Sequence, residues 1–459
     1  MNEEIQKYAE YCLNCPMKPC SQKGCPLNND IPAFIKQVKE GNIEEAFKIL
    51  SRTTVLGSIC GRICPHMKQC QGSCVRGIKG ESVQIGNLEA YIFDEALKNG
   101  WYKNIEKTDE LKGKKVAVVG GGPAGLTCSS FLARSGADVT IYEKYEKLGG
   151  ILEHGIPEFR LEKDILEKTI EAILSIGIKV EYNRELGKNL DLKELENEYD
   201  AIFLSFGANI PSKMNIEGED LEGVYGGNSL LEYGNHPSYK GKKVAVIGGG
   251  NVAMDCCRTI KRLGADKVYV IYRRAEKQMP AEVKEIAEAK EEGIEFLFQN
   301  NIVRIIGKKD IVKKGDAEKA EIEKNVEATD RVEKIECIRT KLVKKEGETR
   351  EVPINIEGSN YEMDMDYVVM AVGSSPEKEL LEKLEQSGIE LNKWGYIQVD
   401  ENHRTSNKKV FAGGDLAGDK STVAWAARAG RDVARTIMTE HWQRGHFFLS
   451  IFLYTWGHF

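Results

Sequence analysis

The stretch Lys114–Glu143, KKVAVVGGGPAGLTCSSFLARSGADVTIYE, constrains the chain more than any other. Its first apolar run, Val116–Val119, suits a buried parallel strand. Gly120, Gly122 and Gly125 follow in the order G-x-G-x-x-G. Pro123–Arg134 then has helical spacing, and a second apolar run, Asp138–Tyr142, leads to Glu143. Each part has a mechanical reason in a dinucleotide site. The first glycine makes the turn, the second lets the backbone approach a pyrophosphate, and the third lets helix and strand pack closely. The unpaired N–H groups at the helix start face the phosphates. Glu143 is placed to accept hydrogen bonds from a ribose. Glycine turns are common alone, but strand, turn, helix, strand and terminal acid together make an incidental loop the weaker reading.

The design recurs downstream. Val244–Ile247 reads as a strand, Gly248–Ala253 as a G-x-G-x-x-A turn, Asp255–Leu263 as a helix and Val268–Tyr272 as the next strand. Where the first copy ends on an acid, this one ends on Arg273 and Arg274. A carboxylate accepts from a 2′-hydroxyl, whereas an arginine fork pairs with a 2′-phosphate, so this site should prefer NADP. The plainer alternative is a solvated strand end.

The chain has 459 residues and 12 cysteines, eight of which lie at Cys12, Cys15, Cys20, Cys25, Cys60, Cys64, Cys70 and Cys74. The N-terminus is polar and charged, and no run reaches the roughly 18 apolar residues of a membrane span, so a cytoplasmic protein is expected. Reducing compartments disfavour disulfides. Zinc would favour paired C-x2-C motifs, and only Cys12–Cys15 is one. Iron–sulfur clusters take thiolates at short, irregular spacings, often with a Cys-Pro step such as Cys25-Pro26 or Cys64-Pro65, and eight cysteines are about enough for two four-iron clusters. Cys128, Cys256, Cys257 and Cys337 read as buried thiols, and His66 as a solvent-facing side chain. The net charge of −6 gives no support to nucleic-acid binding.

In order along the chain, residues 1–110 form a cysteine-rich helical segment, with helices expected after Asp30-Ile31-Pro32, over Ile43–Ser51 and over Ile85–Lys98. Residues 111–220 carry the first nucleotide unit, with loops at Gly149-Gly150 and Gly155-Ile156-Pro157 and a strand within Asp200–Gly207. Residues 221–372 carry the second. Within them, 301–350 read as an exposed ribbon or irregular loop, and Tyr367–Gly373 as a buried strand. Residues 373–440 return to the first domain through KVFAGGD and a helix from about Thr422 to Thr439. The aromatic tail 441–459 reads as a docked or disordered extension.

Taken together, the Cys12–Cys25 run, CGRICPHMKQCQGSC (Cys60–Cys74), IGNLE (Ile85–Glu89), VVGGGPAGL, GGILEHGIPEFRL, IGGGNVAMD, YRR and FAGGD closely resemble the small (beta) subunit of NADPH glutamate synthase. The same module is found at the N-terminal end of dihydropyrimidine dehydrogenase and in the large subunit of a flavin-bifurcating ferredoxin:NADP oxidoreductase. The resemblance spans about residues 5–440 and stops short of the tail; segment 301–350 also departs from it. It implies an α/β fold: a helical N-terminal iron–sulfur domain, then two Rossmann-like nucleotide-binding domains. It also implies FAD, NADPH and two 4Fe-4S clusters. On the family pattern Cys12, Cys15, Cys20 and Cys74 hold one cluster. Cys25, Cys64, Cys70 and Glu89 hold the other, which leaves Cys60 spare. FAD falls to Gly120, Gly122, Pro123, Ala124, Gly125, Glu143, Gly150, Gly207, Gly414 and Asp415. NADPH falls to Gly248, Gly250, Asn251, Val252, Ala253, Arg273, Arg274 and Gly373. No catalytic acid or base is expected, because the cofactors carry the chemistry. The implied partner is the large subunit of glutamate synthase. The alternative is a bifurcating ferredoxin-linked assembly, towards which G-x-x-G-E at Gly77–Glu81 leans; a nucleotide-binding redox sensor is the non-enzymatic reading.

Overall fold

The strand Lys115–Val119 lies at the centre of a parallel sheet, and its unit is built outward from it. A computed structural model describes residues 3–309, 330–344 and 350–454, with backbone alone beyond Glu440. Met1–Ala208 with Pro376–Phe459 form one unit, and Asn209–Ser375 a second.

In the first unit the parallel strands run in the order Val410–Ala412, Ala201–Leu204, Lys115–Val119, Asp138–Tyr142 and Lys179–Glu181. The inner strands are buried along almost their whole length, as a parallel sheet covered on both faces requires. Helix Pro123–Arg134 follows the first strand, and the last helix, Val423–Tyr454, packs along it. Gly430 permits that approach: a Cβ there would stand 2.0 Å from the Ala124 carbonyl oxygen.

The cysteine-rich segment folds into helices Glu3–Glu10, Ile31–Lys39, Ile43–Ser51, Gly57–Ile63 and Ile85–Asn99. Asp30 caps the second as expected, its carboxylate accepting the Ala33 N–H at 3.3 Å. The helix ending at Asn99 stops on Gly100 in the left-handed region, φ 68°. Glu3–Glu10 and Gly57–Ile63 were not anticipated. Gly57–Ile63 contains two glycines and is a poor helix by propensity. Packing explains it, because a Cβ on Gly61 would lie 2.5 Å from the Ala90 amide nitrogen of the helix ending at Asn99. Phe34 and Phe93 from these helices share one buried cluster with Val116, Leu126 and Val433, so helices and sheet have a common core.

The second unit has its own parallel sheet, in the order Val224–Gly226, Tyr367–Met370, Lys243–Ile247, Lys267–Tyr272 and Glu295–Phe298. Its glycine-turn helix begins at Asn251 rather than Asp255 and runs to Arg262. The region read as an exposed ribbon or loop is an antiparallel ribbon, Asn300–Lys309 against Asp330–Val343, joined by Val352–Asn355 and Tyr361–Asp364. One face is a core: Ile302, Ile305, Val332 and Ile335 are buried with Val368 and Met370. Residues 310–329 and 345–349 lie outside the described residues, as does 455–459 of the tail. The last helix continues past Thr439 to Tyr454, so the start of the tail is helical in its backbone. No helix among the described residues is long and apolar enough to cross a membrane.

Gly430→Ala tests the close helix approach. Crowding a backbone oxygen costs about 1–3 kcal/mol, against a gain of roughly 1 kcal/mol in helix propensity. A lowered denaturation midpoint is expected; an unchanged or raised one would show that the helices separate without cost.

Candidate cofactor and cluster sites

The three glycines of the first turn differ in their surroundings. Gly120 takes φ +101°, and a Cβ there would stand 2.7 Å from the Phe206 Cα. On Gly125 a Cβ would lie 2.0 Å from the Gly120 carbonyl oxygen, so this glycine sets the helix–strand contact. Gly122 faces space, with its nearest neighbour 3.9 Å away at Gly150, and Pro123 and Ala124 open the helix beside it. That is the cradle a pyrophosphate needs. Glu143 is buried, and its two carboxylate oxygens accept the N–H groups of Gly121 at 2.9 Å and Tyr145 at 3.0 Å. The carboxylate therefore braces the turn, and a ribose hydroxyl would use its remaining lone pairs.

Other residues assigned to FAD lie around this turn. Gly150, at φ +53°, would bring a Cβ to 3.0 Å from the Gly122 Cα. The Ser205 hydroxyl donates to the carbonyls of Val119 and Gly120, at 3.1 and 2.9 Å, just before Gly207 at φ +77°. Gly414, at φ +70°, stands over Ala124 and donates its N–H to Asp419 at 2.9 Å. Burial raises the pKa of the neighbouring Asp415 carboxyl, and the Ser421 hydroxyl opposes the shift. The sequence reading passed over His154, inside GGILEHGIPEFRL. Its ring lies 4.3 Å from that of Tyr145, and its buried Nε2 has no hydrogen-bond partner among the described residues.

The second turn repeats the geometry. A Cβ on Gly248, φ +141°, would stand 2.2 Å from the Ala371 oxygen, whereas Gly250 has nothing nearer than Pro280 at 4.0 Å. Asn251 Oδ1 accepts the Glu282 N–H at 3.0 Å, next to Val252 and the fully buried Ala253. Gly373, φ +122°, follows the strand Tyr367–Met370. Arg273 is exposed at the end of its strand, and Arg274 is half-buried with no partner for its buried Nε among the described residues. A buried donor of this kind fits an anionic ligand group.

The cysteines fall into two groups. Cys12, Cys15, Cys20 and Cys74 line one cavity, with Leu13, Ile35 and Val83. Cys12 follows the helix Glu3–Glu10, Cys20 opens the turn Cys20–Gly24, and Cys74 precedes the turn Val75–Ile78. Burial raises the pKa of Cys12, and pushes that of Cys20 to about 11. In the second group Glu89 acts electrostatically on Cys25, Cys64 and Cys70, Cys25 acts on Cys70 and Cys70 on Cys64, and Cys60 acts on Cys25 and Cys64. Burial and then Glu89 push Cys25 up to about 12, opposed by the N–H groups of Asn29 and Leu27. Burial pushes Cys70 well up, whereas for Cys64 the first cause is its bond with Cys60 and burial the second. The groups adjoin, since a Cβ on Gly24 would stand 2.8 Å from the Cys70 Cα. Glu89 is a buried helix side chain, held up near about 8 by burial, and accepts from Asn29 Nδ2 at 3.2 Å. Asn29 in turn accepts from the Thr53 hydroxyl at 2.7 Å. These donors fit a metal cluster, whose positive charge would compensate buried thiolates. His66 is half-buried rather than solvent-facing, its Nε2 lying 3.1 Å from the Cys60 carbonyl. Cys128, Cys256, Cys257 and Cys337 are buried.

Residues 114–432 match the family described as pyridine nucleotide-disulphide oxidoreductase, and residues 1–101 match dihydropyrimidine dehydrogenase domain II, 4Fe-4S cluster. The chain belongs to the pyridine nucleotide-disulphide oxidoreductases. This oxidoreductase is 36% identical over 452 residues to the NADPH glutamate synthase small chain of Escherichia coli, covering 95% of this chain and 91% of that one. It therefore also belongs with the glutamate synthase small chains. It is 35% identical over 447 residues to the NADP(+)-dependent formate dehydrogenase subunit beta of Moorella thermoacetica, covering 91% of this chain and 59% of that one. The chain spans 54% of the NADPH-Fe(3+) oxidoreductase subunit beta of Geobacter sulfurreducens, to which it is 35% identical over 389 residues. Mycobacterium tuberculosis FprA in complex with NADPH has the same fold, with a TM-score of 0.59 at 18% identity over 72% of this chain and 85% of that one.

The arginine pair carries a selectivity test. Replacing Arg273 and Arg274 with alanine removes charge-assisted bonds of about 2 kcal/mol, roughly thirtyfold in affinity. NADPH binding by titration calorimetry should weaken by that factor while NADH binding changes little; equal losses would contradict a 2′-phosphate role.

Proposed function

We propose that this chain is an electron-input subunit: NADPH reduces FAD, and the electrons leave singly through two 4Fe-4S clusters to a partner, for which the large subunit of glutamate synthase is the first choice. The observation that carries this reading is the common core of the cysteine-bearing helices and the Gly120–Gly125 sheet, which keeps a flavin turn and two thiol groups in one unit. Gly120–Gly125 would hold the FAD pyrophosphate at the start of helix Pro123–Arg134. Gly248–Ala253 would hold that of NADPH, with Arg273 and Arg274 on the 2′-phosphate. Cys12, Cys15, Cys20 and Cys74 would bind one cluster, and Cys25, Cys64, Cys70 and Glu89 the other. The near-complete span of the glutamate synthase small chain supports that partner. A second reading, another electron-accepting assembly such as a bifurcating ferredoxin:NADP oxidoreductase, draws on the likeness to a formate dehydrogenase subunit.

The test is anaerobic purification. Iron and sulfide at about eight each per chain are expected for two four-iron clusters, with one flavin. Co-purification from the native organism should bring down a large flavin amidotransferase. A chain with flavin but no iron would contradict the cluster assignment, and a small ferredoxin-reductase-like partner would replace the first choice with the second.

A further inference from the structure

Two arginines of the last helix reach the loop after Cys25, about 400 residues away in sequence. Arg428 Nη1 donates to the Pro26 carbonyl at 3.2 Å. Arg431, whose side chain is 4% exposed, donates from Nη1 to the Leu27 carbonyl at 2.5 Å and to the Thr53 carbonyl at 3.5 Å. The peptide joining Pro26 to Leu27 thus has its oxygen on the Arg428 guanidinium. The N–H groups of Leu27 and Asn29 favour the Cys25 thiolate over the thiol. Arg431 also touches the other side of this group. It holds the Thr53 backbone, the Thr53 hydroxyl donates to Asn29, and Asn29 donates to Glu89. Asp432 is a common carboxylate for Arg428, Arg431 and Arg435, which leaves the patch net positive.

Hydrogen bonds to cluster sulfurs and nearby positive charge both favour the reduced, more negative cluster. We propose that Arg428 and Arg431 are positioning residues that fix the loop after Cys25 to the last helix, place positive charge beside it, and raise the reduction potential of the cluster Cys25 would bind. This rests on the two-cluster reading above. The arginines act through the backbone and touch no reacting atom. The helix that carries them also packs on the flavin-turn helix at Gly430, so cluster potential and flavin turn depend on one element.

The test is an EPR-monitored redox titration of the anaerobically purified full chain, with iron counted for each variant. Arg431→Met should lower the midpoint of one cluster by about tenfold in its reduction equilibrium, or 59 mV for one electron. The other cluster and the flavin midpoint should not move. Arg431→Lys, which keeps the charge, should recover most of the shift, and Arg428→Met, which releases the Pro26 carbonyl, should move the same midpoint in the same direction. Iron lost from one cluster in Arg431→Met and retained in Arg431→Lys also supports the positioning role. Wild-type midpoints in both Arg431 variants with full iron would overturn it. So would loss of all iron and flavin from both, which marks a general folding role. A wild-type chain lacking two clusters would overturn the underlying reading instead, and this inference with it.

Discussion

The close approach of Gly430 to the Ala124 carbonyl is the contact on which the first unit depends. It lets the last helix lie against the helix that begins at the first glycine turn, with no side chain between the backbones. From that position the same helix sends Arg428 and Arg431 to the Cys25 loop. At the far end of the flavin-turn helix, Arg134 donates to the Ser51 carbonyl at 2.7 Å. The cysteine-bearing helices are therefore tied to the nucleotide sheet at both ends of one helix. This suits a module in which a cluster must stay at a fixed distance from a flavin.

Burial has the largest electrostatic effect in the cysteine region. It raises the pKa of Cys12, Cys20, Cys25 and Cys70, and that of Glu89 with them. Without a compensating cation these groups favour their protonated forms. Metal binding releases the protons, so assembly of such a site is coupled to its ionisation. Backbone N–H groups oppose the shift at Cys25, Asn29 opposes it at Glu89, and Lys39, bonded to the Cys12 carbonyl at 2.7 Å, opposes it at Cys12. The second unit has the opposite character: an exposed arginine and a half-buried one stand at a strand end.

Backbone-imposed features were legible in the sequence. Gly120, Gly125 and Gly248 are required by positive φ or by contacts of 2.0–2.7 Å, and a glycine at such a position can be read without a structure. The Asp30 cap and the alternation of strand and helix after Lys114 were legible for the same reason. The helix Gly57–Ile63 was hidden because its glycines answer to a neighbouring helix and not to local propensity. The buried face of the ribbon at Asn300–Lys309 was hidden because register shifts after Ile302 and Ile306 break its alternation of buried and exposed residues. The contacts of Asn29 with Thr53, and of Arg428 and Arg431 with the Cys25 loop, left no local mark, since those partners lie 24 to 404 residues away.

The central claim is that one unit carries both the flavin and its electron acceptors. Rapid mixing of the anaerobic chain with NADPH, in the absence of any partner, tests it most directly. Flavin absorbance should bleach first and the iron–sulfur absorbance should follow within a single turnover, at a rate independent of protein concentration. Full flavin bleaching with unchanged iron–sulfur absorbance, or cluster reduction that depends on protein concentration, would contradict it.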